Sequence, residues 1–343
     1  MTEHKQALES TAREMVAQGS GILAADESNG TMTKRLEAVG VESSEEARRR
    51  FRELLFTASG AQEHISGVIM YDETIRQAGA DGTPFPALLA EHGMIPGIKV
   101  DTGAKPLAGA QGETVTEGLD GLRERLAEYR ELGARFAKWR GVINIGEGKP
   151  SHYAIAVNAH ALARYGALCQ EAGIVPIIEP EVLMDGDHTV ERSEEVTGET
   201  LRVVFEELAD QRVLLEGMVL KPNMVMSGYE CSQQAGVQEV AKRTLALLAR
   251  VVPAAVPGIA FLSGGQSDEL ASAHLNAMNA LGGVPWALSF SYGRALQAAP
   301  LKVWKGQESN AGAVQSAFAH RARCNGEATL GRYSEESERA LAA

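Results

Sequence analysis

The chain has 343 residues, 44% of them hydrophobic and 23% charged, which is ordinary globular composition. Its formal net charge of -12 argues against broad nucleic-acid binding, and no apolar run reaches the roughly 20 residues of a membrane helix. The opening MTEHKQALES lacks an apolar signal core, and Cys169, Cys231 and Cys324 show neither disulfide pairing nor zinc spacing, so a reducing cytoplasmic setting is expected.

The first 19 residues read as a helix added before the main fold, with Leu8, Ala12, Met15 and Val16 on one face. GILAAD opens a strand at Gly21 and ends it in Asp26. Next, DESNGTMTKR carries Ser28, Thr31, Lys34 and Arg35, a basic set suited to an anion or equally to a solvated helix face. Ser43 and Glu46 resemble a capping box before ARRRFRELL. Strands follow at Gly67 (GVIMY) and Gly97 (GIKVD), the latter ending in Lys99 and Asp101. Leu119, Leu122, Leu126 and Tyr129 recur at helical spacing, with Gly133 as the C-terminal cap. FAKWRGVINI at Phe136 brings Lys138 and Arg140, and VPIIEPEV at Val175 ends in Glu179 and Glu181. Helical patterns cover 189–210 and 268–281. Between and after them come GMVLKPN at Gly217, GIAFLSGG at Gly258 and ALSFSYG at Ala287. From about Ser334 to Ala343 the chain is polar and small, which predicts a mobile tail.

Eight strands alternating with helices predict an α/β fold, a (β/α)₈ TIM barrel spanning 1–343 as a single domain. An open doubly wound sheet alternates in the same way. The count of eight favours the barrel, as does the lack of Gly-x-Gly-x-x-Gly after the first strand.

In such a barrel the C-terminal strand ends form the active-site mouth. One charged residue at a strand end is usually a solvated loop residue. Here Asp26, Lys99, Asp101, Lys138, Arg140, Glu179, Glu181 and Lys221 come from five strands and converge on one rim, which predicts a catalytic cluster. Lys221 sits in the apolar run GMVLKPNMV, where an ammonium loses solvation. Desolvation, with Lys138 nearby, would favour the neutral amine, a nucleophile toward carbonyls. The competing reading is a structural lysine paired to Glu179 or Glu181. In FLSGGQS, Ser263, Gly264 and Gly265 follow a strand and precede a helix, and SFSYGRAL repeats the plan with Ser291, Gly293 and Arg294. Glycine backbone N–H groups, a helix start and an arginine there suit a phosphate. No metal-ligand pattern, serine nucleophile elbow or Walker motif appears.

The segments GILAADESNGT, GIKVD, FAKWR, IIEPEVL, LEGMVLKPNMV, FLSGGQS and SFSYGRALQ resemble the class I fructose-1,6-bisphosphate aldolases from about Gly21 to Tyr333. That resemblance implies a metal-independent lyase with no cofactor beyond a lysine Schiff base. It implies a phosphorylated sugar substrate and a homotetramer acting in glycolysis and gluconeogenesis. By position, Lys221 resembles the Schiff-base lysine, Glu179 the general acid/base, Lys138 the neighbouring lysine and Asp26 the carboxylate near the reacting carbons. Glu181, Lys99 and Arg140 line the same site. Ser263, Gly264, Gly293 and Arg294 resemble the pocket for the phosphate nearer the ketone. Ser28, Thr31, Lys34, Arg35 and Lys99 resemble the region of the other phosphate. Animal members end in a tyrosine that reaches the active site, whereas this chain ends SERALAA and its last tyrosine is Tyr333. Other readings are a transaldolase, a different Schiff-base phospho-sugar aldolase, or a scaffold protein on an aldolase-like barrel.

Overall fold

The computed structural model describes residues 4–339. Its strands are β1 Gly21–Ala25, β2 Ile65–Met70, β3 Ile95–Lys99, β4 Gly103–Pro106, β5 Thr114–Glu117, β6 Phe136–Ile143, β7 Val175–Val182, β8 Val219–Leu220, β9 Gly258–Phe261 and β10 Ala287–Tyr292. Eight of them close into a barrel in the order β1, β2, β3, β6, β7, β8, β9, β10, and the register is parallel throughout. The (β/α)₈ expectation is met. β4 and β5 stand apart as an antiparallel hairpin in the loop after β3. They lack a buried alternating face, so no sequence period announced them.

The helices are α1 Lys5–Met15, α2 Asn29–Glu37, α3 Glu45–Phe56, α4 Asp72–Ile75, α5 Phe85–Glu91, α6 Leu122–Glu131 and α7 His152–Glu171. After these come α8 Val190–Asp210, α9 Val237–Val251, α10 Asp268–Leu281, α11 Arg294–Trp304, α12 Ala311–Thr329 and α13 Glu335–Arg339. The cap before α3 is Ser44, whose Oγ accepts from the Ala47 N–H at 3.0 Å, one residue beyond the predicted Ser43. Ser43 instead accepts from the Thr33 hydroxyl at 2.8 Å. The predicted mobile tail also needs correction within the described residues. Over Glu335–Arg339 the chain is helical, and Glu338 accepts from the Tyr333 hydroxyl at 2.6 Å and pairs with Arg321. The rest of that segment, 340–343, lies outside the described residues.

Side-chain alternation along the strands organises the interior. Ile22, Ala24, Phe136, Val175, Ile177 and Val219 form one apolar cluster with Leu8, Ala12 and Met15 of α1. The N-terminal helix therefore plugs the barrel floor with the face its spacing predicted. Leu23, Ala25, Ala137, Trp139, Ile178 and Leu220, of opposite parity, join the cluster shared with the outer helices. The Phe136 ring fills the floor so closely that a Cβ on Gly97 would lie 2.2 Å from it. Gly97→Ala is expected to destabilise the barrel by about 1–3 kcal/mol through overpacking, read as a lowered thermal midpoint. An unchanged midpoint would show that the ring can retreat.

β8 holds only two residues of the expected strand, because Gly217 belongs to a preceding 3₁₀ turn and Pro222 has no N–H to continue the ladder. Lys221 makes the last bond to β7, its N–H donating to the Ile178 carbonyl at 2.8 Å, and the Pro222 carbonyl still accepts from the Leu262 N–H at 3.2 Å.

Candidate active site

Parity that makes the floor apolar makes the mouth charged. Two or four residues beyond Ile22, Phe136, Val175 and Val219, on the same side of their strands, stand Asp26, Lys138, Glu179 and Lys221. These open into a cleft of about 970 Å³ at the C-terminal ends of the strands. Every predicted site residue lines it except Lys34. Lys34 is exposed on α2, while its neighbour Arg35 turns inward. Adjacent helix positions differ by about 100°.

The lysines are held by carboxylates. Lys221 Nζ lies 3.0 Å from Glu179 Oε1, and both side chains are 5% exposed. Glu179 Oε2 is 3.4 Å from Lys138 Nζ, so one carboxylate spans two ammonium positions. Lys138 also meets Asp26 Oδ2 at 2.7 Å and Asp101 Oδ2 at 3.7 Å. Asp101 Oδ1 is 2.7 Å from Lys99 Nζ, and Arg140 Nε donates to Glu181. Lys99, Lys138, Arg140 and Lys221 thus balance Asp26, Asp101, Glu179 and Glu181, four against four.

Burial alone would push Lys138 toward the neutral form. Asp26, Glu179 and Asp101 outweigh it and hold its pKa above the ordinary lysine range. Burial would likewise raise Asp26, but Lys138, Lys221 and Lys99 bring it well below the usual carboxylate range. Desolvation opposes the Arg140 charge too, and Glu181 with Glu179 more than restores it. Asp101 is the cluster member for which sequence reasoning gave no role. The signal was present: Lys99 stands opposite Lys138 in the β3–β6 register, so a carboxylate two residues past Lys99 reaches both.

Beside the cluster, Ser263, Gly264 and Gly265 follow β9, and Ser291, Gly293 and Arg294 lie at the end of β10 and the start of α11. Gly264 has φ +58° and Gly265 φ +97°, a left-handed pair that only glycines hold without strain. A Cβ on Gly264 would also meet Met184 at 2.4 Å. Among the described residues, no backbone carbonyl accepts from the Gly264 or Gly265 N–H, and the buried Ser291 Oγ has no partner. With the N-terminus of α11 and the Arg294 guanidinium, these donors form a set whose chemistry suits an anion. Across the cleft Ser28 caps α2, and Arg35 pairs with Glu27. Glu27 and Tyr229 also line the cleft and were not anticipated. The group of possible metal-ligand atoms found among the described residues, His320, Cys324 and Glu338, lies between α12 and α13 outside the cleft lining.

A parallel barrel with a buried lysine–carboxylate cluster at its mouth and unpaired donors alongside has the chemistry of an enzyme for phosphorylated carbonyl compounds. The family model for class-I fructose-bisphosphate aldolase matches residues 7–343. A probable class 1 fructose-bisphosphate aldolase of Xanthomonas campestris pv. campestris is 58% identical over 327 residues, covering 95% of this chain and 98% of that one. Fructose-bisphosphate aldolase C of Carassius auratus is 52% identical over 334 residues, covering 97% and 92%. A solved fructose-bisphosphate aldolase from Plasmodium falciparum, in complex with TRAP and a small-molecule inhibitor, superposes with a TM-score of 0.96 at 47% identity, covering 97% of each chain. This chain belongs to the class I fructose-bisphosphate aldolases. Its reaction is the cleavage of fructose 1,6-bisphosphate, a lyase step of glycolysis. Class I of this family works through a lysine Schiff base and uses no metal.

Proposed function

We propose that Lys221 is the Schiff-base lysine, served by Glu179, Lys138 and Asp26. The observation that carries this is the 3.0 Å approach of Lys221 Nζ to Glu179 Oε1 inside a buried cluster. Glu179 takes the lysine proton, and Lys138, with three carboxylates around it, remains the cation. The freed amine adds to the C2 carbonyl of fructose 1,6-bisphosphate. Protonation by Glu179 lets the carbinolamine hydroxyl leave as water, giving an iminium. Its positive nitrogen is the electron sink for the next step.

A base removes the C4 hydroxyl proton, the C3–C4 bond breaks, and its electron pair forms the enamine. Glyceraldehyde 3-phosphate departs with a new C4 carbonyl. Asp26 is held so acidic by Lys138 that it accepts protons poorly; the base is therefore assigned to Glu179, and Asp26 orients the hydroxyl. Protonation at C3 and hydrolysis then release dihydroxyacetone phosphate and restore Lys221. Glu181, Arg140 and Lys99 position the sugar. The Ser263, Gly264, Gly265, Ser291, Gly293 and Arg294 pocket takes the ketone-side phosphate. Ser28, Thr31, Arg35 and Lys99 take the other. The reading also takes 1–343 as one barrel domain assembling as a cytoplasmic homotetramer, with family membership as its support.

The direct test is borohydride reduction with dihydroxyacetone phosphate present, followed by peptide mass mapping. The expected mass addition falls on the Lys221 peptide alone; a label elsewhere reassigns the nucleophile. Arg294→Ala is expected to raise KM for fructose 1,6-bisphosphate by roughly 10-fold or more, since a charge-assisted phosphate contact is lost. An unchanged KM would move the phosphate elsewhere.

A further inference from the structure

Tyr229 is an aromatic ring in the cleft that the mechanism above leaves unused. It stands eight residues beyond Lys221, in the loop between β8 and α9, and its side chain is well exposed. Backbone bonds stitch this loop to the one after β7. The Gly228 N–H donates to His188 O at 2.8 Å, Tyr229 N–H to Met184 O at 2.9 Å and Glu230 N–H to Gly186 O at 2.9 Å. Gly228 approaches so closely that a Cβ there would lie 2.3 Å from the Gly186 carbonyl oxygen. The ring is therefore delivered from a fixed backbone. Its hydroxyl donates to the Gly264 carbonyl at 2.9 Å and lies 3.5 Å from Met184 Sδ.

The Gly264 carbonyl shares a planar trans peptide with the Gly265 N–H, so the two point in opposite directions. A donor held on the carbonyl fixes that plane and polarises the N–H opposite it. The restraint matters because both residues are glycines, whose backbone is otherwise free to rotate. A Cβ built on Gly265 would lie 3.4 Å from Arg294 Nη1 and 3.5 Å from Tyr229 Oη, which places the phenol beside the arginine. Partial burial pushes the phenol up to about 12, although Arg294 pulls the other way, so it is a donor at neutral pH.

We propose that Tyr229 is a positioning residue for the ketone-side phosphate, its hydroxyl clamping the Gly264–Gly265 peptide so that the Gly265 N–H is aimed and strengthened as a phosphate donor. The proposal deepens the phosphate-pocket reading and rests on it. Its reach is selective: it concerns ligands that carry the ketone-side phosphate and leaves carbonyl chemistry at Lys221 untouched.

The test is Tyr229→Phe, which keeps the ring and removes only the hydroxyl. KM for fructose 1,6-bisphosphate is expected to rise about tenfold with kcat changed less than about twofold, the pattern of lost binding. In borohydride trapping, the dihydroxyacetone phosphate concentration for half-labelling should rise by a similar factor, while that for unphosphorylated dihydroxyacetone stays fixed. Equal shifts for both ketones, or none for either, overturn the proposal. So does a fall in kcat with KM unchanged. A label absent from the Lys221 peptide in the unsubstituted enzyme strikes the Schiff-base assignment instead, and the KM comparison still decides the role of Tyr229.

Discussion

Lys221→Met is expected to lower fructose 1,6-bisphosphate cleavage by at least about 10⁴-fold and to abolish borohydride trapping, because it removes the proposed nucleophile. Lys138 does not replace it. Its ammonium faces Asp26, Glu179 and Asp101, and these neighbours keep it protonated. The substitution should leave the fold intact. Methionine matches the lysine stem in volume, and Glu179 keeps Lys138 at 3.4 Å as its counter-charge. A folded Lys221→Met protein that retains a tenth of the activity, measured with a coupled assay, would remove Lys221 from the mechanism.

Lys138→Met is expected to damage stability as well as rate. It strips Asp26, Asp101 and Glu179 of a shared cation, and removing one partner of a buried ionic group typically costs about 3–5 kcal/mol. The pH dependence should change at both ends. Asp26 is depressed in the folded state, so its contribution is present above the ordinary aspartate range and is lost as pH falls through the folded value. Lys138 is raised, so its contribution is full below the ordinary lysine value and fades as pH rises through the folded one. The unsubstituted protein should therefore keep this stabilisation across neutral pH. In Lys138→Met, Asp26 should take up a proton more readily, and the difference between the two proteins should shrink below the ordinary aspartate range. Urea unfolding at several pH values measures this. A constant difference from neutrality down through the ordinary aspartate range and below would show that Asp26 does not depend on Lys138.

Much of this site was legible because charged residues closing apolar runs are a local signal, to which the structure adds strand parity. Ile22 and Asp26, or Val175 and Glu179, lie on one side of their strands whatever the rest of the chain does. Eight such strands then leave little choice of architecture. Pairing was harder to read. That Asp101 serves both Lys99 and Lys138 follows from the β3–β6 register, a relation between segments almost forty residues apart. Tyr229 carries no period at all; its contact with Gly264 depends on how two mouth loops fold over each other. Lys34 and Arg35 looked equivalent as neighbours, yet helix rotation separated them. The β4–β5 hairpin escaped because two four-residue strands that bury only Thr116 leave no pattern.

Among the described residues, the helix wedged beneath the barrel closes its floor and leaves the cleft at the other end as the way in. Fructose 1,6-bisphosphate must enter by the opening through which its fragments depart. The aldehyde half is free once the carbon–carbon bond parts, while the ketone half stays tethered. Traffic through that opening is consequently ordered: the untethered triose leaves first, and in the synthetic direction it arrives last.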